Sequence, residues 1–461
     1  MLLERLKDIV GPRGWTTDPH ELEPHLTEWR GVVHGATPIM VSPASVRQVA
    51  DIVNACRAAS VALVPQGGNT GLCAGAVPDA SGEQVLLSLS RLNRIRSIDA
   101  DDFSMTVDAG CVLADVRSAA EEAGRLFALS LGAEGSCQIG GNLATNAGGI
   151  NVIRYGTARS QVLGLEVVLA DGRVWNGLRR LRKDTAGYDL KQLFIGSEGT
   201  LGIITGASLK LFPPPGDTQV ALLGLDAAER AVELLAQLRT RLGDSIQAFE
   251  LIGDRPIRWV ERHIPGASLP FSERHRWYAL IEAAAADGDA LQSHLLRALE
   301  SGAVTDVVVA KNESEAEALW RIRHSISEAE KQEGACLKHD ISVPIGAMAD
   351  FLRRGEKLLA DLCPDARLVA FGHVGDGNLH YNVAQPAGGD AGAFLARTEV
   401  ISGAVYDLVR DLGGSISAEH GIGTLKKAWM HKYADPVEID LMRTLKQALD
   451  PGNLLNPGKV I

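Results

Sequence analysis

Three consecutive prolines, Pro213, Pro214 and Pro215, followed by Gly216, admit neither a helix nor a central strand and so divide the chain. Before them, from Pro38, the pattern is strand, helix, strand: PIMVSP, then the helical apolar spacing of Val46 to Ala59, then VALVP. Pro43 and the small Ala44-Ser45 pair predict where that helix starts. Further strands are expected over 85–89, 104–110, 162–170 and 207–212, with a helix over 113–123. After the prolines the rhythm changes. Strands QVALLGL, IQAFEL, WYALIEAAA and TDVVVA alternate with helices near 227–241, 287–300 and 312–332, and a helix over 346–361 leads to the strand RLVAFG. A long helix over 389–411 and shorter ones over 424–431 and 436–449 close the chain. The expected class is α+β, with a first domain over 1–215, a second over 216–423 and a C-terminal helical segment over 424–461.

A chain of 461 residues has ample core, and a prior of roughly 150 residues per domain allows about three domains or two large ones. The formal charge of −11 supplies no global field for nucleic acid or anionic lipid. Locally, Arg179, Arg180, Arg182 and Lys183 could hold an anion. Six scattered cysteines without a C-x-x-C pair argue against a zinc ribbon or a disulfide framework and suit a reducing compartment. The opening MLLERLKDIVG predicts a short amphipathic helix, and Glu4 and Asp8 within it argue against a signal peptide. No apolar run approaches the roughly 18 residues that cross a bilayer. The expectation is a soluble cytoplasmic protein.

The segment PQGGNTGLCAGAVP, residues 65–78, follows a strand, and its glycines let backbone approach a ligand and present N–H groups to phosphates. No helix follows it, so the dinucleotide fingerprint does not apply. Two more small-residue segments, GSCQIGGNLATNAGG over 135–149 and GSEGTLGIIT over 196–205, lie in the same half. Several such loops imply a large planar ligand with a pyrophosphate, clasped from several sides. The other half carries FGHVGDGNLH over 371–380, and SAEHGIG follows over 417–423. His373 ends a strand and His380 opens the next, so the tight turn between them can bring both rings to one side. With Glu419 they form the two-imidazole, one-carboxylate set that leaves a catalytic divalent metal one open position. Those donors favour zinc, with manganese, iron or cobalt possible. His420 is then a spare base or a support for the ligands. Alone, the same histidines also fit polar groups satisfied within a loop.

Seven motifs in register, PQGGNTG, IGGNLATNAGG, YGTARSQVLGLEVVLADG, LFIGSEGTLGIIT, FGHVGDGNLH, SAEHGIG and LDPGNLLNPGK, resemble the vanillyl-alcohol oxidase / p-cresol methylhydroxylase flavoproteins. Within that superfamily they resemble the D-lactate / D-2-hydroxyglutarate dehydrogenase branch. The resemblance runs from about residue 38 to the C-terminus. It implies a two-subdomain FAD-binding domain, an α+β substrate (cap) domain and a C-terminal segment packing back on the FAD domain. FAD would place its pyrophosphate in the loop of Gly67, Gly68, Asn69, Thr70 and Gly71, after Pro65. Gly135, Ser136, Gly140, Gly141, Asn142, Asn146 and Gly149 would follow the flavin, Ile204 the adenosine side, and Gly199 and Asn456 complete the cofactor set. Relatives with covalent flavin often carry a histidine in the first loop; Asn69 stands in that stretch here, which implies non-covalent FAD.

The resemblance also assigns His373, His380 and Glu419 to the metal, and Arg323, Ser327, Lys338, Asn382 and His420 to the substrate. Arg323 and Ser327, four apart in ALWRIRHSISEAEK, are predicted on one helix face, although Arg323 could instead pair with Glu328 or Glu330. The family often has threonine where Ser327 stands. The implied reaction takes a D-2-hydroxy acid to its 2-oxo acid. His420 removes the hydroxyl proton, hydride passes to FAD, and a separate acceptor, an electron-transferring flavoprotein or a quinone, reoxidises the flavin. Arg323, Ser327 and Lys338 exceed the needs of one carboxylate and favour D-2-hydroxyglutarate over D-lactate or glycolate, with D-malate open. The alternatives are a flavin-binding subunit of a glycolate oxidase-like complex and a flavin-free zinc hydrolase. A homodimer is compatible with all of these.

Overall fold

The computed structural model describes residues 2–284 and 290–461, and the chain separates into two compact units. The first comprises Met1–Gly149, Gly156–Pro214 and Glu419–Ile461; the second comprises Ile150–Tyr155 and Pro215–Ala418. The limits read from sequence therefore shift at two places. Residues 150–155 group with the second unit because Ile150 packs on that unit's core and Ile153 lies against Gly375. Glu419 to Gly423 group with the first, where Gly149 and Glu198 hold them by hydrogen bonds.

The first unit contains two sheets. In the four-stranded one, Met40–Val41, Val85–Ser88 and Leu63–Gln66 run parallel, and Trp15–Thr16 adds an antiparallel edge. Val85–Ser88 is buried throughout, as an unbroken apolar run requires. Helix Val46–Ala59 is the crossover between the parallel strands Met40–Val41 and Leu63–Gln66. The Ser45 side chain accepts from the Gln48 amide at its start, and Ser60 in the left-handed region ends it. Its buried Val49, Ile52, Val53 and Cys56 repeat at helical spacing, and each fully buried Val or Ile contributes roughly 1.5–3 kcal/mol. The second sheet is antiparallel, in the order Ile95–Asp99, Ser104–Asp108, Ile203–Lys210, Val162–Val168, Val174–Gly177. The strand expected over 207–212 thus begins earlier, at Ile203, inside the third glycine segment.

The closing motif returns to the first glycine loop. Leu455 bridges Leu63, and the Asn456 amide donates to the Leu63 carbonyl at 2.7 Å. Asn456 Nδ2 donates to the carbonyls of Gly75 and Glu198 at 2.9 and 2.7 Å.

The second unit is built on an antiparallel sheet in the order Asp306–Val309, Thr218–Leu225, Trp277–Ala284, Ile246–Gly253, Arg367–His373, Asn378–Ala384, Cys336–Leu337, with Asp340–Ser342 also paired to Asn378–Ala384. Helices Asp254–His263, Glu313–His324 and Ile326–Lys331 share an apolar cluster with the residues Ile252, Val369 and Phe371 on this sheet. Two single helices expected from sequence are each divided. The 312–332 stretch turns at Ser325, whose φ −83°, ψ −3° separates Glu313–His324 from Ile326–Lys331. The 389–411 stretch divides into Ala391–Leu395 and Thr398–Asp411 at Arg397, whose guanidinium is drawn to the Leu362 carbonyl at 2.7 Å. Helix Asp254–His263 was not foreseen, since Pro256 in its first turn reads as a breaker. The final residue of the strand expected to reach 285, and residues 287–289 of the helix expected from 287, lie outside the described residues; from Ala290 that helix runs to Glu300. Among the described residues no helix is long and apolar enough to cross a membrane.

Candidate active site

In the first unit, loop 67–71, residues 137–145 and residues 198–204 surround a cleft of about 900 Å³ counted to its open mouth. The backbone walls are close. A Cβ on Gly68 would lie 2.0 Å from the Ser136 carbonyl oxygen, and Gly199 combines φ +73° with a Cβ position 2.6 Å from the Pro65 ring. Asn69 sits in the left-handed region at φ 53°, and its Nδ2 donates to the carbonyls of Pro24 and Thr27 at 3.0 Å each. Gln138 Oε1 and Asn142 Oδ1 are buried without a hydrogen-bond partner, and both residues line the cleft. Orphaned acceptors beside glycine-walled backbone fit a bound group with its own donors, as the isoalloxazine and ribityl parts of FAD have.

Of the residues expected at the cofactor, Pro65, Gly67, Gly68, Asn69, Thr70, Gly71, Gly140, Gly141, Asn142, Gly199 and Ile204 line this cleft. The others stand behind or beside it. Ser136 backs Gly68, next to the exposed Gly135. Asn146 Oδ1 accepts from the Arg159 amide at 3.0 Å, and the Gly149 amide donates to Glu419 at 2.5 Å. Asn456 fastens the loop as described. Gln138 and Glu198 line the cleft without having been singled out in the sequence.

Glu198 also fixes the segment that carries Glu419 and His420. Its carboxylate accepts from the amides of Ile422 and Gly423 at 2.7 and 2.8 Å, while Cys73 Sγ donates to the Gly421 carbonyl at 3.3 Å. Burial raises the Glu198 carboxyl above its ordinary value, against the pull of the two amides. Glu198 adopts φ 51°, an uncommon conformation for a residue with a side chain. So held, the segment brings His420 to the wall of the cleft.

In the second unit, strand register sets the chemistry. Glu250 is the cross-strand partner of His373, Phe371 of His380 and Val369 of Asn382. Two-residue alternation therefore puts Glu250, Phe371, His373, His380 and Asn382 on one face of the sheet. The two imidazoles stand 5.9 Å apart, centroid to centroid, at 76°. Glu250 is fully buried; its carboxylate meets His373 Nδ1 and accepts from Arg323 Nε at 2.6 Å. Burial works to raise that carboxyl, but the charges of His373 and Arg323 outweigh it and bring it down to about 2. Opposite His380 lies the buried Asp340, with 3.8 Å between Nδ1 and Oδ1. A carboxylate bonded to Nδ1 is the arrangement that orients a metal-binding histidine, so Nε2 is the nitrogen His373 would offer an ion.

Arg323 is buried, and its carboxylate partner is Glu250, not Glu328 or Glu330. Its guanidinium lies over the Phe371 ring at 4.7 Å. Ser327, beyond the Ser325 turn, is exposed, so the one-face argument from four-residue spacing does not carry across. Lys338 falls between two short strands and pairs with the buried Glu330. Glu330 also accepts from Cys336 Sγ at 2.7 Å and from Asn382 Nδ2 at 3.3 Å. Both cations expected to meet substrate therefore already hold a buried carboxylate.

Two family models match the chain: "FAD binding domain" over residues 37–177 and "FAD linked oxidases, C-terminal domain" over 214–460. The chain is similar to mitochondrial D-2-hydroxyglutarate dehydrogenase of Bos taurus, 41% identical over all of this chain and 83% of the relative. It is equally similar to D-2-hydroxyglutarate dehydrogenase of Xanthomonas citri pv. viticola, 41% identical over 96% of this chain and 93% of that one. Among solved structures, p-cresol methylhydroxylase with substrate bound superposes with a TM-score of 0.77 at 16% identity, covering 100% of this chain and 96% of that one, a likeness of fold. The paired FAD-family models, the glycine-walled cleft and the full-length relatives converge: the chain belongs to the FAD-linked oxidases, in their D-2-hydroxyacid dehydrogenase branch.

Proposed function

We propose that this FAD enzyme oxidises D-2-hydroxyglutarate to the 2-oxo acid and passes the electrons to a separate acceptor. The observation that carries the substrate is the full-length 41% identity to two D-2-hydroxyglutarate dehydrogenases. The cations no longer argue for two carboxylates by number, because Glu250 and Glu330 neutralise them. Geometry still favours Arg323 as a carboxylate site: its bond to Glu250 uses Nε, and the paired Nη groups remain for a bidentate acceptor. Lys338, Asn382 and Ser327 complete the proposed substrate set.

We further propose that His373, His380 and Glu419 hold a divalent metal, zinc by donor type. Glu250 and Asp340 behind the two imidazoles support that assignment. When bound, the ion supplies Lewis acidity toward the substrate hydroxyl and FAD supplies a hydride acceptor. The chain's own part is to orient and to move a proton. Arg323 fixes the substrate carboxylate, the sheet face carrying Phe371 and Asn382 sets its angle, and His420 takes the hydroxyl proton as the α-hydrogen leaves as hydride.

Steady-state kinetics with a dye acceptor across D-2-hydroxyglutarate, D-malate, D-lactate and glycolate test the substrate. The highest kcat/KM is expected for D-2-hydroxyglutarate, and a strong preference for D-lactate would sink the assignment. Chelation followed by metal add-back tests the ion. Turnover should fall and return while the flavin absorbance stays constant; undiminished turnover in metal-free protein would remove the metal from the mechanism.

A further inference from the structure

The second unit contains a separate cleft where helix Asp254–His263 begins, beside the ends of strands Ile246–Gly253, Trp277–Ala284 and Arg367–His373. Five guanidiniums line it: Arg255, Arg258, Arg262, Arg276 and Arg367. Three carboxylates answer them. Asp254 pairs with Arg258 at 2.5 Å but is shared with Arg274 at 2.8 Å; Glu356 takes Arg276 at 2.6 Å; Glu333 is divided among Arg262, His263 and Arg367. Arg255 has no hydrogen-bond or ion-pair partner among the described residues, although Arg258 and Arg367 crowd it. Burial first, and then those two charges, hold its guanidinium below the ordinary arginine value. No side chain caps the N terminus of the helix that carries it. Arg367 is itself fixed, with its guanidinium over the Trp259 ring at 5.0 Å and Nε donating to the Gln385 carbonyl at 2.7 Å.

Five guanidiniums against three shared carboxylates, with Arg367 fixed on Trp259 and Arg255 left over, are complementary to an anion. We propose that this cleft binds a small multivalent oxyanion, a phosphate ester or a polycarboxylate, with Arg255 as its principal contact. The site is distinct from the histidine cluster. Arg367 opens the strand that His373 ends, and six residues of strand span about 20 Å at ~3.3 Å per residue. A ligand here bridges the start of helix Asp254–His263 to the Arg367 strand, so occupancy stabilises the unit that carries His373 and His380.

The test uses holoenzyme with FAD bound, so that the flavin's own pyrophosphate site is filled. Inorganic phosphate and, separately, succinate are titrated at constant ionic strength set by chloride, and thermal unfolding and calorimetric binding are followed. At least one of the two anions is expected to raise the melting temperature and to bind saturably. Response to phosphate alone assigns a phosphate-bearing ligand, and response to succinate alone a polycarboxylate. Arg255→Ala should weaken that binding about tenfold or more, as loss of a charge-assisted contact does, and Arg255→Glu should abolish it. Turnover of both variants without added anion should match the wild type and their melting temperature should not fall, because Arg255 makes no hydrogen bond or ion pair among the described residues and its neighbours Arg258 and Arg367 carry like charge. No shift with either anion, or a shift of equal size in Arg255→Glu, overturns the proposal.

Discussion

Glu250 and His373 stand opposite each other on neighbouring antiparallel strands, and the carboxylate that meets the imidazole Nδ1 is the same one that accepts Arg323 Nε. One buried charge thus orients both a proposed metal ligand and a proposed substrate contact. Glu250→Gln keeps the shape and removes the charge. Metal retained per flavin after dialysis should drop, and kcat/KM should fall by roughly 10–100-fold, the usual cost of losing a group that orients a metal-bound histidine. Metal analysis beside kinetics checks this, and a variant with full metal content and wild-type KM would show that the coupling is absent.

His420 reaches the cleft wall on a segment fixed by Glu198 and Cys73. His420→Gln should leave the flavin spectrum intact and slow anaerobic flavin reduction by substrate about 10²–10⁴-fold, the range of a lost general base. Reduction at the wild-type rate would move the proton acceptor elsewhere.

Lys338, partly buried, is the counter-charge of the buried Glu330, so removing the lysine leaves that carboxylate with only its neutral donors Cys336 and Asn382 among the described residues. Lys338→Met alone should destabilise the protein by about 3–5 kcal/mol, and the double variant Lys338→Met/Glu330→Gln should recover most of that. With stability restored, KM for D-2-hydroxyglutarate should rise while that for D-lactate stays level. Equal changes for both substrates would assign Lys338 to architecture and not to the distal carboxylate.

Lys459, in the closing motif, donates to the Val77 carbonyl and to Thr424 Oγ1 at 2.7 Å each. Burial brings its amine down to about 8. An unfolded lysine titrates near ~10.4, so between these values the unfolded state binds more protons and the residue adds stability as pH rises. Its contribution is complete above the unfolded value and is lost as pH falls through about 8. The difference in melting temperature between wild type and Lys459→Met should grow in favour of the wild type from pH 8 to 10. Parallel curves over that window would place the amine's titration elsewhere.

The loops of this protein were legible because their signals are local. GGNTG, directly after the strand that ends at Gln66, cannot be a helix or a strand interior, and Gly68 admits no side chain where it meets Ser136. His373 and His380 were legible as a pair because one short turn separates them. The carboxylates that govern the site were not. Glu250 lies 123 residues from His373 and looks like one polar residue in an apolar strand, and Glu198 lies 224 residues from the Ile422 amide it holds. Only strand register and chain return bring such pairs together, and neither leaves a local trace. The turn at Ser325 was missed for a related reason, since serine is tolerated within helices and nothing nearby breaks the apolar spacing.

The bridge from Leu63 to Leu455 has a consequence for how the chain is made. The strand that precedes the first glycine loop pairs early with Val85–Ser88, but its other edge must wait for Leu455, roughly 390 residues later, which at ~5–20 residues per second is about 20–80 s of synthesis. Most of the second unit, Pro215–Ala418, is complete before that partner emerges. This edge of the flavin cleft therefore closes late, only after Leu455 has been made.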